Sequence, residues 1–389
     1  MKRILLSLGL VFLVLGCGSK KLTEIPVGFI GPLTGDAANY GKLSLQAVQI
    51  ALDEINAQGG IGGLPVKLYV EDDEGKPEKA NAAFEKLYGV NKIYGFVGPM
   101  FSSCALAIAP KAQAAKVVMI SQSATHKDVT SKGDFIFRNV LSDQLQAEVF
   151  GRYVAEKLGI KKVAILYIKN DYSQGLAMDF KRVFEASGGQ VVAVETGVQG
   201  DKDFKTQLTK IKEAQPEALY IPNYVAEMAQ ILEQAKQLGL NVKILSADGF
   251  SNPEIFALAK DLANGVIFSN SADESGMKNP LRENFVKLYR EKYGEDPDAF
   301  AQNAYDAFKV LLLALKNAYE TSGGVIDRTK VRDFLLNLRG YQGVSGVITF
   351  LPSGDAIKNV GIYVADAKKK TYNQIAVYKV ENNQLVEVK

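Results

Sequence analysis

Cysteine, histidine and tryptophan are nearly missing from this chain of 389 residues, which has two cysteines, one histidine and no tryptophan. Because His126 is the single histidine, zinc sites built on two or three histidines and mechanisms that need paired histidines are excluded. The two cysteines, Cys17 and Cys104, lie far apart in the sequence, and we expect the fold to form without a disulfide.

Long apolar runs are also scarce, and none of about 18 residues follows the first stretch of the chain. That first stretch has Lys2 and Arg3 ahead of an apolar run from Ile4 to Leu15. The run is shorter than the roughly 20 residues that a membrane-spanning helix needs. Its layout is instead typical of a secretory signal.

The apolar run ends in Leu-Val-Leu-Gly-Cys, with a small residue directly before Cys17. This ending resembles the lipobox of bacterial lipoproteins, in which the cysteine is lipidated and becomes the first mature residue. It predicts a signal peptide over residues 1–16, lipidation at Cys17 and a short lipidated tether over 17–24. Several acyl chains would hold the protein to a membrane more firmly than one. The alternative is that Cys17 only interrupts an ordinary signal peptide.

The composition is that of a globular protein, with 47% hydrophobic and 23% charged residues. The net charge of +3 is too small and too evenly spread to predict a nucleic-acid surface. The length suits two domains of ordinary size.

Strands and helices alternate from Pro26 to about Gln199, as in the strand Val27 to Ile30 and the helix Leu43 to Gln58. After Phe135 to Val140 the pattern restarts. Such alternation predicts parallel sheets with helices on both faces, and its restart predicts two lobes of similar architecture. Three helices between Leu281 and Leu338 and a β-rich ending complete the predicted elements.

Motifs for nucleotide, metal or catalytic chemistry do not fit their templates. Gly35 to Lys42 has five residues between its glycines and no hydroxyl after the lysine, unlike a P-loop. Gly59 to Gly63 leaves a helix and enters a strand, the reverse of a dinucleotide loop. Glu71 to Glu74 lacks the alternating ligands of a calcium loop. With no G-x-S-x-G sequence either, we expect neither an enzyme nor a bound cofactor or metal.

Three loops after predicted strands remain as candidate binding elements, because open parallel sheets bind ligands at the carboxyl ends of their strands. Ser102 and Ser103 start a predicted helix, where free N–H groups suit a carboxylate, although the serines could also simply cap the helix. The loop Ser121 to His126 offers hydroxyls for the same ligand. Asp248 follows a third strand and suits an ammonium group, although Asp is also a common helix cap. Together these loops predict a zwitterion site.

The chain resembles the leucine/isoleucine/valine-binding proteins, which are type I periplasmic solute-binding proteins of ABC transporters, over about residues 25–385. The segments that carry the resemblance are Gly31 to Gly41, Ile55 to Gly63, Val97 to Ser103, Met119 to Thr125, Asp171 to Gly175, Asp201 to Phe204 and Ala247 to Phe250. The resemblance implies an α/β fold of two Rossmann-like lobes with parallel central sheets, joined by a three-stranded hinge.

The resemblance also implies a role for each binding residue. Ser102 and Thr125 would hold the ligand carboxylate, with the backbone around Ser123 and Ala124, and Asp248 would hold the ammonium. The aromatic walls would be Tyr40, Tyr172, Tyr224 and Phe300, beside Phe101. The chain departs from the family pattern in three places that bear on the ligand side chain: Asp248 is shorter than the frequent glutamate, Ser123 replaces an occasional glycine, and Phe101 is bulky beside Ser102.

The implied connectivity has three crossings between lobes, near Leu141, Asn270 and Leu351. The N-terminal lobe would comprise residues 25–141 and 271–350, and the C-terminal lobe 142–270 and 351–389. Hinge closure over a bound amino acid, branched-chain by family resemblance, would present the closed form to membrane permease subunits. We expect a monomer anchored outside the cytoplasm, in the periplasm or on the outer face of the cytoplasmic membrane.

Other functions fit the same residues. The bilobed domain could be a ligand-sensing receptor component instead of a transport protein, and the ligand could be an amide, urea or another small amino acid. The carboxylate of Asp248 disfavours a ligand without a cationic nitrogen.

Overall fold

The computed structural model of the protein describes residues 22–273, 279–382 and 384–388. The predicted signal peptide, the lipidation site Cys17 and most of the predicted tether lie outside these ranges. Within the ranges, no helix has the length and apolar character that crossing a bilayer requires.

The first sheet has five parallel strands in the order β2-β1-β3-β4-β5. Its strands are β1 (Ile25–Gly31), β2 (Val66–Asp72), β3 (Gly95–Val97), β4 (Val118–Ser121) and β5 (Ile136–Arg138). Every residue of β1, β3, β4 and β5 is buried, as expected for parallel strands that are covered by helices on both faces.

The second sheet has eight strands in the order β15-β14-β13-β10-β9-β8-β6-β7. Its parallel part consists of β6 (Lys162–Ile168), β7 (Gln190–Gly197), β8 (Ala218–Tyr220), β9 (Lys243–Ser246) and β10 (Ile267–Ser271). A short hairpin of β11 (Tyr341–Gly343) and β12 (Gly346–Ile348) stands apart. The sheet ends in β13 (Val360–Asp366), β14 (Thr371–Glu381) and β15 (Gln384–Glu387), paired antiparallel from β10 outward.

The helices follow the strands in the alternation that the sequence predicts. They are α1 (Ala38–Ala57), α2 (Pro77–Gly89), α3 (Ser102–Ala114), α4 (Asp143–Arg152), α5 (Asp171–Ala186), α6 (Lys205–Glu213), α7 (Val225–Gln237), α8 (Ile255–Leu258), α9 (Pro280–Tyr293), α10 (Ala299–Thr321) and α11 (Arg328–Leu336). Helices α1–α3 and α9–α11 pack on or next to the first sheet, and we call this body the first lobe. Helices α4–α8 and the second sheet form the second lobe.

The predicted α/β fold class with two lobes is confirmed, but one of the two central sheets is not entirely parallel as predicted. The second central sheet is mixed, because β13, β14 and β15 run antiparallel to their neighbours. Only a few residues join β13 to β14 and β14 to β15, and so short a connection can link antiparallel strands but not parallel ones.

Two helices begin before their apolar residues do. Apolar periodicity alone predicts helices from Ala147 and from Gly175, whereas α4 starts at Asp143 and α5 starts at Asp171. In both cases a polar side chain caps the helix: Ser142 accepts a hydrogen bond from the N–H of Leu145, and Asn170 from that of Ser173. Capping turns are polar, so hydrophobic periodicity does not detect them.

Candidate functional site

The candidate site lies where the two lobes meet. It is formed by residues that follow β3, β4, β8 and β9, together with one side chain each from α1, α5 and α10. Parallel sheets expose their carboxyl ends in this way, and ligands of open α/β folds bind there.

A small cavity of about 10 Å³ occupies this junction. Its walls are Tyr40, Met100, Phe101, Ser102, Ser123, Tyr172, Tyr224, Asp248, Gly249 and Phe300. Eight of the ten predicted binding residues are therefore gathered around one space, with Met100 and Gly249 as additional walls. The other two, Ala124 and Thr125, do not line the cavity but are buried beside Ser123. So little space holds about one water molecule, so the surrounding side chains have to move apart before a larger ligand can bind.

Ser102 is the first residue of α3, and neither it nor Ser103 caps that helix through its side chain. The hydroxyl of Ser102 accepts a hydrogen bond from the N–H of His126 at 3.2 Å, which ties the first binding loop to the second. The hydroxyl of Ser103 accepts from the N–H of Asp171 at 3.1 Å and so contacts the second lobe. Simple helix capping therefore does not account for either serine.

The loop that carries Thr125 is held by the buried side chain of Arg138. Its Nη1 donates to the carbonyl oxygens of Thr125 at 2.8 Å and His126 at 2.7 Å, and its Nε pairs with Asp355 at 2.6 Å. With its backbone fixed, Thr125 keeps a buried hydroxyl that makes no hydrogen bond of good geometry among the described residues, although it lies close enough to the carboxyl of Asp143 to lower the pKa of that group. A buried hydroxyl without a partner costs free energy, which a ligand oxygen can recover.

Asp248 lies directly after β9, and its side chain is buried opposite the serine loops. One carboxylate oxygen accepts hydrogen bonds from Nε2 of Gln146 at 2.9 Å and from the hydroxyl of Tyr172 at 3.0 Å. Burial raises the pKa of Asp248 to about 6, and these two hydrogen bonds oppose part of that rise. At neutral pH the carboxylate is ionised, and no cation pairs with it in the described part of the chain.

A second buried carboxylate, Asp143, belongs to the same polar end, and the sequence analysis missed it. It is the first residue of α4, and its N–H donates to the carbonyl of Thr125 at 2.8 Å. Within the described residues, neither of its carboxylate oxygens makes a hydrogen bond of good geometry, although the hydroxyl of Thr125 lies close enough to lower the pKa of Asp143. Burial raises the pKa of Asp143 well above its usual range, and the nearby charge of Asp248 raises it further.

Two buried carboxylates close to each other favour a cation between them, because like charges at low dielectric otherwise force one group to stay protonated. The local sequence does contain a signal for Asp143. Ser142 followed by an acidic first turn is a helix start, and it would have moved the predicted beginning of α4 to include the carboxylate.

The remaining walls are aromatic. Phe101 stacks on Tyr224 with ring centroids 4.1 Å apart, and Tyr224 stacks on Tyr172 at 5.1 Å. Tyr40 meets Phe101, Tyr224 and Phe300 edge-on, at 5.8, 6.0 and 5.2 Å. These rings give the cavity apolar walls, and the hydroxyl of Tyr172 reaches from them to the carboxylate of Asp248.

Direct contacts hold the two lobes together around the cavity. The hydroxyl of Tyr40 donates to the carbonyl of Gly249 at 2.7 Å and accepts from the N–H of Val225 at 3.2 Å. At the rim, Asn39 donates to Asn252 at 3.0 Å. The lobes are therefore closed over the site.

The polar groups of the cavity suit recognition more than catalysis. In the part of the chain that the structure describes, no group of three or more His, Cys, Asp or Glu side chains is arranged to hold a metal ion. Cys104, the described cysteine, is buried, and burial raises the pKa of its thiol far above the ordinary value.

Comparisons with known proteins agree with this arrangement. Residues 24–371 match the family described as periplasmic binding protein. The chain is 34% identical to the Leu/Ile/Val-binding protein BraC3 of Rhizobium johnstonii, over 85% of this chain and 89% of that protein. Among solved structures it resembles the leucine binding protein LivK of Thermotoga maritima, with a TM-score of 0.84, 32% identity, and coverage of 91% of this chain and 98% of the other.

A second structural neighbour is the branched-chain amino acid transporter substrate binding protein LivJ of Streptococcus pneumoniae, solved in complex with isoleucine. The TM-score is 0.82 and the identity 29%, over 94% of this chain and all of that one.

Proposed function

Since this chain belongs to the periplasmic binding protein family, a class of solute-binding proteins and not of enzymes, we propose that it is an extracytoplasmic lipoprotein that binds an amino acid and delivers it to the permease of an ABC transporter. Branched-chain amino acids are the first candidates, because the neighbouring proteins are named for leucine, isoleucine and valine. The observation that carries the proposal is one small cavity that is lined by the hydroxyls of Ser102 and Ser123 and by the carboxylate of Asp248, with which no cation pairs in the described part of the chain.

The ligand carboxylate is bound by the hydroxyls of Ser102 and Thr125 and by the backbone at Ser123 and Ala124. Support comes from the buried hydroxyl of Thr125, which makes no hydrogen bond of good geometry, and from the position of Ser102 at the positive end of the α3 dipole. The ligand ammonium is bound by Asp248. Asp143 lies next to this end, and its raised pKa favours the protonated form, so that Asp248 alone carries the negative charge that meets the ammonium.

The aliphatic side chain of the ligand lies against Tyr40, Phe101, Tyr224 and Phe300, while Tyr172 orients Asp248 through its hydroxyl. Closing these rings over the ligand removes water from the charged pairs and so strengthens them.

Closure is a hinge movement of two discontinuous lobes, over residues 25–141 and 271–350 and over residues 142–270 and 351–389. The support is the return of α9–α11 to the first lobe and of β13–β15 to the second sheet. The crossing segments meet where Asp355 pairs with Arg138 beside the Thr125 loop. The closed monomer is the form that the permease recognises, and the lipid on Cys17 keeps it at the membrane.

A thermal-shift panel of amino acids and amides on the domain from residue 22 onward tests the function. At 100 times its dissociation constant, the ligand should stabilise the native state by about 2.7 kcal/mol. An Asp248→Ala variant should keep the unliganded fold and lose the shift, whereas Asp36→Ala, which removes an exposed ion pair with Lys202 at the rim, should keep it. A panel in which no amino acid raises the melting temperature would refute the proposal.

A further inference from the structure

We propose that Gln146 is a positioning residue of the ammonium site: its side-chain amide holds the carboxylate of Asp248 in place, and Ser269 fixes the orientation of that amide. This inference rests on the proposed amino-acid function and adds a residue that acts through Asp248. Gln146 lies on α4, one turn after Asp143, and its side chain is fully buried. It does not line the cavity itself.

Both ends of the Gln146 amide contact the same residue. Its Oε1 accepts a hydrogen bond from the backbone N–H of Asp248 at 3.3 Å, and its Nε2 donates to Oδ1 of Asp248 at 2.9 Å. Because a backbone N–H can only donate, the oxygen of the amide has to face it, and the NH₂ group has to face the carboxylate. Gln146 therefore holds both the main chain and the side chain of Asp248.

Ser269 holds the same amide from the neighbouring strand. It belongs to β10, and its hydroxyl donates to Oε1 of Gln146 at 2.9 Å. Turning the amide over would place its NH₂ group against the N–H of Asp248 and its oxygen against the carboxylate. Ser269 and Gln146 are both buried, and polar groups that lose their partners there cost free energy. The amide therefore keeps one orientation.

Tyr172 completes the support of the carboxylate. Its hydroxyl donates to the same Oδ1 at 3.0 Å and accepts a hydrogen bond from the N–H of Gly249 at 2.8 Å. With Oδ1 held by two donors, a rotation of the carboxylate about χ2 breaks both hydrogen bonds. All of these residues belong to the second lobe. The ammonium end is therefore organised within one lobe, and a site that is already in its binding geometry loses less conformational freedom on binding.

Hydrogen bonds to a carboxylate also favour its ionised form, which is the form that attracts an ammonium. Of the hydrogen bonds that lower the pKa of Asp248 against the effect of burial, the one from Gln146 contributes most. The other titratable side chains near Asp248 are Asp143, Tyr40, Tyr172, Tyr220 and Tyr224. Burial raises the pKa of each of these tyrosines, so they stay neutral. Loss of the amide should therefore raise the pKa of Asp248.

Calorimetric titrations of the wild-type protein and Gln146→Met between pH 5.0 and 8.5 test the role, with the one of the twenty amino acids that the wild-type protein binds most tightly. Methionine is about as long as glutamine and removes both hydrogen bonds to Asp248. We expect binding at pH 7.5 to weaken at least tenfold, since hydrogen bonds to charged groups are the stronger ones. The midpoint of the pH dependence should rise by about one pH unit.

Gln234→Met is the matched control. Gln234 is a buried glutamine of the second lobe that accepts a hydrogen bond from the N–H of Phe204 and donates one to the carbonyl of Lys202. Its variant should lose stability and keep the wild-type affinity and pH midpoint. Gln146→Asn serves if Gln146→Met does not fold, because its amide is one methylene shorter and cannot reach both groups of Asp248; the same two changes are expected.

The results separate the two claims. A Gln146 variant that keeps the wild-type affinity, or that binds more weakly with an unchanged pH midpoint, would overturn the positioning role while the amino-acid function stands. If the wild-type protein binds none of the twenty amino acids, the proposed function fails. The positioning role is then decided by the carboxyl ¹³C titration of Asp248 in the protein without amino acid. The same upward shift is expected there in Gln146→Met, and an unshifted titration would overturn the role.

Discussion

Lowering the pH should weaken amino-acid binding, because it protonates the carboxylate that receives the ligand ammonium. Burial raises the pKa of Asp248 to about 6, against the opposing hydrogen bonds from Gln146 and Tyr172. A carboxyl with a pKa near 6 instead of 3.8 has lost roughly 3 kcal/mol of preference for its ionised form. The bound ammonium restores that preference, so the ligand selects the ionised site.

The size of the effect follows from the fraction of ionised sites. At pH 7.5 nearly every site is ionised, and at pH 5.0 about one in eleven is, so the apparent dissociation constant should rise about tenfold. At pH 6.0 binding should release about half a proton. The folding stability of the unliganded protein depends on pH in the opposite direction from that of a protein with a salt-bridged carboxylate. Its raised pKa contributes stability below 3.8, and this is lost as the pH rises through about 6.

Calorimetric titrations at pH 5.0, 6.0 and 7.5, in two buffers of different ionisation enthalpy, measure both the affinity and the released proton. Asp248→Asn should bind weakly at all three values and release no proton. Asp298→Asn is the matched control, because burial raises the pKa of Asp298 to about 7. Asp298 caps α10 through the N–H of Ala301, and asparagine caps as well, so this variant should keep the pH dependence. An affinity that stays constant or rises toward pH 5.0 would refute the reasoning.

Three further substitutions test separate parts of the account. Tyr40→Phe removes two hydrogen bonds across the cleft, at about 1 kcal/mol each. It should weaken binding about tenfold or more without changing the melting temperature of the unliganded protein. Unchanged affinity would contradict a role of Tyr40 in holding the lobes closed. Thr125→Val removes a buried hydroxyl that lies beside Asp143 without a hydrogen bond of good geometry, and it should weaken binding while leaving stability about equal, as calorimetry and thermal melting would show. Cys17→Ser should move the full-length protein from the membrane fraction to the soluble fraction, and continued membrane association would refute the lipid anchor.

Much of the fold could be predicted because most strands and helices of this chain have a recognisable local sequence pattern. Buried parallel strands such as β4 are short apolar runs, and glycines follow helices such as α1, so the order of elements was visible. The pairing of β13–β15 on the far edge of the second sheet was not visible. It depends on contacts between residues about a hundred positions apart, as between Ile267 and Val364, which no local pattern encodes.

Some residues of the candidate site could likewise be predicted from the sequence, and others could not. Ser102 and Asp248 follow apolar strands, and ligands bind at the carboxyl ends of such strands, so both residues could be identified as candidates from their neighbours in sequence. Asp143 was missed because a polar capping turn hid the true start of α4. The link from Tyr40 to Gly249 joins residues of different lobes, and it exists only when the lobes are closed.

Calorimetry with two analogues of the best amino-acid ligand tests the central claim most directly. One analogue lacks the ammonium group and keeps the carboxylate, and the other lacks the carboxylate and keeps the ammonium. A site that holds both ends of a zwitterion, with Ser102 and Thr125 at one end and Asp248 at the other, leaves buried polar groups unpaired with either analogue. The account predicts a loss of at least a hundredfold in affinity for each. An analogue without its ammonium group that binds as tightly as the amino acid would contradict it.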